Sequence, residues 1–255
     1  MPSSEAIEVP SSVSAVTSDV CLDILARIAT TRPRVQCLTN TVAQAITANC
    51  LLAIGARVSM AVHPAEIADM AAGADAVLIN LGTIDPLREE AISRLVGSAA
   101  VASKPLVFDP VFVEASPLRL AIARRIVQDR TVIIRANSDE ARTLRAVMTA
   151  LDIETCTWVT TGPVDHIVSG ARSATCRRGH PLMAQVTGLG CALGAIIAAM
   201  NTVEPDPLIA AAAALDVFGA AGERAALTSR GPGSFAVAMI DALATVDTQM
   251  LARRT

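Results

Sequence analysis

The chain has no tyrosine, one tryptophan and four phenylalanines in 255 residues, and its net charge is −3. Readers of nucleic acid use stacked rings and a basic stripe. Both are missing, and nucleic acid is not expected as a partner. Histidine is scarce too: His63, His166 and His180 are scattered and carry no catalytic assignment. None of the six cysteines (Cys21, Cys37, Cys50, Cys156, Cys176 and Cys191) falls in a C-x-x-C pair, so zinc is not expected. Residues 1–17 contain no Lys or Arg and no continuous apolar run, and so lack both parts of a secretory signal. They read as a flexible tail, with one domain expected over 18–255. The longest uncharged stretch, Val186 to Val203, opens with a glycine turn and falls short of the roughly 20 residues a membrane span needs. No membrane association is expected. Reduced, mostly buried thiols and a cytoplasmic location follow.

What the chain does have is apolar bulk in a regular alternation. It is 52% hydrophobic and 18% charged, enough for a sizeable core. DAVLIN (75–80), KPLVFDP (104–110), RTVIIRAN (130–137) and CTWVTTG (156–162) are short Val/Ile/Leu-rich runs, the signature of strands buried on both faces. Residues 85–103 and 116–129 each begin with Asp or Ser ahead of Pro, an N-cap followed by a first-turn residue, and read as one helix apiece. Alternating strands and helices predict a mostly parallel sheet flanked by helices. Residues 165–179 predict an edge hairpin turning at Ser169-Gly170. Three more helices are expected after Gly188, the last two divided by Gly231-Pro232-Gly233.

In such sheets ligands bind where the strands end. That places NLGT (80–83), FDPV (108–111), RANSDE (135–140) and TTGPVD (160–165) on one rim, with VTGLGC (186–191) joining from the hairpin side. Gly188 and Gly190 let an anion approach the main chain at a helix N-terminus, where unpaired N–H groups and the helix dipole attract negative charge. This suits charge that develops during phosphoryl transfer. Cys191, at the helix start, is expected to have a lowered pKa and to polarise a substrate hydroxyl or take its proton. Asp109 and Glu140 end neighbouring strands and could hold Mg²⁺ against phosphates. Asn137 with Glu140 is equally a capping box, and Asp-Pro at 109–110 equally a strand stop.

The order of these motifs resembles the hydroxyethylthiazole kinases of the ribokinase-like fold. The likeness runs over about residues 35 to 240. It rests on CLTNTVAQAITANCLLAIGARVSMAVHPAEI, NLGT, DPV, R-x-N-x-x-E, TG-x-x-D and GHPLM-x-x-VTG-x-GC. The resemblance implies a three-layer α/β sandwich. It also implies ATP- and Mg²⁺-dependent phosphorylation of the primary hydroxyl of 4-methyl-5-(2-hydroxyethyl)thiazole in thiamine salvage. By motif, Met60 and Gly188 would bind the thiazole, and Arg135, Thr161 and Asn137 would bind ATP. Cys191, Gly190 and Asp109 would be catalytic, and a homotrimer is implied. Phe112, Glu114, Ala136 and Leu189 depart from the family's smaller residues. The 140–156 segment is short, with room for a single helix, and implies an open nucleotide side. Two other readings remain: a kinase for another small vitamin-precursor alcohol, and a catalytically silent relative that binds thiazole or nucleotide.

Overall fold

A computed structural model describes residues 11–12, 16–128 and 130–252. The strands are β1 (Ser11–Ser12), β2 (Arg34–Leu38), β3 (Arg57–Ser59), β4 (Ala76–Asn80), β5 (Leu106–Asp109), β6 (Ile133–Asn137), β7 (Thr157–Thr161), β8 (Asp165–Ser169) and β9 (Arg172–Cys176). They form one nine-stranded sheet in the order β1-β9-β8-β7-β6-β5-β4-β2-β3. All neighbours are parallel except β7–β8 and β8–β9; β8 and β9 form the expected hairpin, though β1 pairs outside β9 and takes the edge it was expected to occupy.

The helices are α1 (Ser18–Thr31), α2 (Gln44–Ala53), α3 (Ile67–Ala72), α4 (Pro86–Gly97), α5 (Ala99–Ala102), α6 (Pro117–Val127), α7 (Ser138–Arg145), α8 (Ala150–Thr155), α9 (Leu189–Val203), α10 (Pro207–Ala226), α11 (Pro232–Ala244) and α12 (Thr248–Ala252). They divide by face. Leu78, Val107, Ile133 and Val159 pack with α1, α2 and α9 to α12 on one side of the sheet. Val77, Ile79, Phe108, Ile134 and Trp158 pack with α3 to α7 on the other. Alternate residues of each strand thus enter opposite layers, as the period of two demands, and the architecture is a three-layer α/β sandwich.

Capping follows the sequence where it was explicit. The Asp85 side chain accepts from Arg88 N at the start of α4, and Ser116 accepts from Arg119 N at the start of α6. Three details differ from expectation. The helix expected over 85–103 breaks at Ser98, whose backbone is extended and whose N–H bonds Leu95 O. The 140–156 segment carries two short helices, α7 and α8, because Thr149 caps a new start by accepting from Asp152 N. Strands β2 and β3 are not expected from the sequence: Gln36 interrupts the apolar run of β2, while β3 is a three-residue edge strand. Of the expected tail, residues 1–10 and 13–15 lie outside the described residues. Within it, Ser11–Ser12 pairs with β9 and Thr17 caps α1.

Helix α9 is the hub. Eleven of its fifteen residues are buried, and it crosses beneath β4 and β5 on one side and packs on α2 and α10 on the other. Gly194 makes the strand contact possible: a Cβ there would come within 3.2 Å of Leu78 Cδ1. Among the described residues no helix is long and apolar enough to cross a membrane.

Candidate active site

The C-terminal ends of β4, β5, β6 and β7 deliver Asn80, Asp109, Arg135 and Thr161 to one place, and the first turn of α9 adds Gly190 and Cys191. Asp109 is fully buried. Its Oδ2 accepts from Asn80 Nδ2 at 2.8 Å and lies 3.5 Å from Arg135 Nη1. The same Asn80 nitrogen lies 3.2 Å from Cys191 Sγ. Arg135 Nη2 donates to Thr161 Oγ1 at 3.0 Å. One carboxylate, one thiol, one amide and one guanidinium are thereby locked together at the helix N-terminus.

Two charge states follow from burial. Loss of solvent pushes the Asp109 carboxyl up to about 6, against the opposing pull of Arg135. Cys191 moves opposite to expectation. Burial, reinforced by the Asp109 charge, pushes its thiol up to about 12. Position at a helix start lowers a thiol's pKa only when the thiolate stays solvated, and Cys191 is 8% exposed. At neutral pH it is a thiol.

The two glycines at the N-terminus of α9 face opposite ways. Gly188 has φ +91°, and a Cβ on it would lie 2.7 Å from Ile46 Cγ2 and 3.0 Å from Ala43 Cα. A Cβ on Gly190 would lie 2.9 Å from both terminal nitrogens of Arg135. The turn therefore forms a wall between the Ala43–Ile46 side and the Arg135 side. On the Arg135 side opens a cavity of about 710 Å³, whose lining includes Arg135, Thr161, Asp165, His180, Leu189 and Phe218. That volume suits a nucleotide-sized ligand. Gly219 and Gly222 of α10 let its outer wall close in, because Cβ atoms there would strike Arg178 and Met183. On the other side, Thr41 and Thr83 join by their hydroxyls at 3.1 Å. Met60 stands half-buried after β3 on the same core layer as Ile46.

The remaining expected residues are placed as follows. Asn137 is exposed and caps α7, accepting from Asp139 N and Glu140 N, each at 2.9 Å. It does not line the cavity. Glu140 is buried, and both its oxygens are used: Oε2 accepts from Asn137 N at 2.8 Å and Oε1 from Phe112 N at 3.0 Å. Its structural part is to tie the β5 and β6 loops together. Asp109 Oδ1, by contrast, is buried without any partner. Among the described residues no three His, Cys, Asp or Glu side chains gather as a metal cage. One orphan carboxylate oxygen suits a hydrated Mg²⁺ that arrives on phosphates, since that ion keeps several waters and takes few protein ligands.

The departures at 112–114 and 189 also have a place. Phe112 adopts a left-handed backbone, φ +56°; the residue is 59% exposed and Arg119 lies over its ring at 5.8 Å. Glu114 is exposed, and Leu189 is buried in the cavity wall. Asn80 lies in the NLGT segment expected on the rim, but no role was expected for it: an amide closing a fully apolar strand is easily taken for a turn residue.

A three-layer sandwich whose glycine turn and helix N-terminus face the strand ends is the architecture of ribokinase-like kinases. A ribokinase-like superfamily protein from Enterococcus faecalis, 15% identical, matches the fold over 95% of this chain and 98% of its own with a TM-score of 0.66. The particular family is identified by sequence: the hydroxyethylthiazole kinase family model matches residues 25–153 and 138–249, and the chain belongs to that family. A probable hydroxyethylthiazole kinase from Agrobacterium fabrum is 42% identical over 224 residues, 88% of this chain and 89% of that protein. A hydroxyethylthiazole kinase from Cereibacter sphaeroides is 39% identical over 241 residues, 87% and 92% of the two chains. The structure of a hydroxyethylthiazole kinase protein from Pyrococcus horikoshii matches with a TM-score of 0.85 at 32% identity, covering 92% of this chain and 97% of that one.

Proposed function

We propose that the protein transfers the γ-phosphoryl group of ATP to the primary hydroxyl of 4-methyl-5-(2-hydroxyethyl)thiazole. The observation that carries this reading is the glycine wall. Gly190 and Arg135 border the nucleotide-sized cavity, Gly188 borders the Ala43–Ile46 side, and the Asn80–Asp109–Cys191 cluster sits at the meeting point. A donor on one side and an alcohol on the other would meet at the α9 N-terminus.

The roles follow from the chemistry of each group. Backbone amides of the α9 first turn and the Arg135 guanidinium cradle the transferring phosphoryl, preorganised for the charge that builds on its oxygens. Thr161 keeps Arg135 in place and lines the nucleotide cavity. Gly188 and Met60 face the thiazole. Cys191, a neutral thiol, orients the substrate hydroxyl by hydrogen bonding. Phosphoryl transfer has a loose transition state that rests on positioning and electrostatics, so the hydroxyl proton needs only a late acceptor. Asp109, ionised above about pH 6, is the acceptor in the cluster. Mg²⁺ would neutralise phosphate charge, held through Asp109 Oδ1, with Glu140 shaping the loop behind it. Asn137 serves ATP indirectly, through the cap on α7.

A homotrimer is part of the same proposal. Val42 and Leu52 are 63% and 55% exposed on the alcohol side of the glycine wall, and β3 is an open sheet edge beside them. Its mass in solution, by light scattering, tests this. A cytoplasmic location completes the reading.

The test is ADP release and product mass from hydroxyethylthiazole with Mg-ATP. Formation of the thiazole monophosphate is expected, with Cys191→Ala lowering kcat roughly 10- to 100-fold. No product from the intact protein at millimolar substrate, alongside measurable thiazole binding, would turn the reading to a silent binder. Turnover only with other small alcohols would reassign the substrate.

A further inference from the structure

The Asn80 side chain does more than fill the end of β4. It is fully buried, and three of its polar contacts are made. Its Oδ1 accepts from Gly82 N at 2.8 Å. Its Nδ2 reaches Asp109 Oδ2 at 2.8 Å and Cys191 Sγ at 3.2 Å. This orientation is set by chemistry. Turning the amide over would face its NH₂ against the Gly82 N–H and its oxygen against the Asp109 carboxylate, two clashes of like with like. Both hydrogens of Nδ2 are therefore committed, one to the carboxylate and one to the sulfur.

The commitment constrains the thiol. With Asn80 donating into one face of Sγ, the thiol hydrogen must point elsewhere. Among the described residues the thiol accepts from Asn80 and donates no hydrogen bond of its own, which leaves its hydrogen for the proposed substrate hydroxyl. Leu189 and Leu193 of the same helix cannot supply a competing partner, and the Arg135 guanidinium only donates.

The geometry points to Asn80 as a positioning residue for the transfer reaction. Anchored on the Asp109 carboxylate, it holds the Cys191 thiol and so presents the sulfur to the acceptor hydroxyl in a single orientation. This inference rests on the proposed kinase reading. Asn80 touches neither substrate; it acts through Cys191.

A mutant cycle with two readouts tests it. In the intact background, Asn80→Ala is expected to lower kcat roughly 10- to 100-fold with KM for both substrates within about twofold, the signature of an interaction made only in the transition state. In a Cys191→Ala background, the same substitution is expected to cost less than about threefold, because the group it positions is gone. Equal losses in both backgrounds, or a loss confined to KM, would overturn the inference. Asn80→Ser, which keeps a small polar side chain, is carried through the same cycle in case the alanine variant does not fold. The second readout needs no turnover. The S–H stretching band of Cys191, isolated by subtracting the spectrum of Cys191→Ala, is expected to shift when Asn80 is replaced. An unmoved band overturns the positioning role, whereas a shifted band in a protein that makes no thiazole phosphate overturns the kinase reading and leaves the positioning intact.

Discussion

Asp109→Asn is expected to make the protein more stable while abolishing its activity. Folded, Asp109 keeps its proton up to about pH 6; unfolded, a carboxyl of this kind releases it near about 3.9. Between those values the folded chain binds more protons than the unfolded one, so stability falls as pH rises. The contribution is fully present below about pH 4 and fully lost above about pH 7. A shift of about two units corresponds to roughly 3 kcal/mol at about 1.36 kcal/mol per unit. Asparagine mimics the protonated acid and does not titrate, so its advantage should grow from pH 5 to about 3 kcal/mol at pH 7.5. Any constant effect of the substitution cancels in that difference, and growth on the order of 1–2 kcal/mol across the range is the quantity to read. Urea unfolding of both proteins with EDTA at pH 5, 6 and 7.5 measures it, by midpoint at unchanged slope. A gap that stays flat or shrinks with rising pH would refute the claim that the fold holds this carboxylate against its own ionisation. Product formation by the variant should fall at least about 100-fold.

Gly190→Ala should leave the fold intact, since alanine favours a helix by up to about 1 kcal/mol. It should also push the Arg135 guanidinium off Thr161 and Asp109, raising KM for ATP and lowering kcat in steady-state assays; unchanged kinetics would show that the guanidinium does not need its seat. Gly188→Ala meets a left-handed backbone and contact with Ile46 and Ala43, so urea unfolding should show a loss of about 1–3 kcal/mol. Glu140→Gln replaces a two-oxygen acceptor with one acceptor and one donor, leaving Phe112 N or Asn137 N unpaired. It should cost about 1–3 kcal/mol in metal-free buffer, and a stability change seen only with Mg²⁺ present would instead place Glu140 on the ion.

Much of this frame is legible in the sequence because the signals are local. The central strands are continuous apolar runs, and an Asp or Ser before Pro fixes the starts of α4 and α6 within the chain's own neighbourhood. The rim motifs were legible for the same reason, since each closes a readable strand. What the sequence hid depends on distant partners. Strand β3 exists only because β2 lies beside it, and nothing in Arg57–Ser59 says so. The Cys191 thiol looks activated from its place at a helix start. Its actual state is set by burial beneath β4 and beside Asp109, more than 80 residues away along the chain. Asn80 is the clearest case: its three partners lie on its own loop, on β5 and on α9, and only the folded chain brings them together.

Helix α9 has almost no solvent-facing side, and this bears on how the protein could be remade. Altering its body means altering the core, so a designer who wants a bulkier alcohol or a different phosphate donor has little freedom there. The adjustable parts are the short segments hung on either flank: 40–43 with 82–83 on one side, 161–165 with 177–183 on the other. They lie on opposite sides of the glycine wall. Libraries at the two flanks can therefore be screened separately and then combined, with the helix kept as the fixed jig that holds both halves in register.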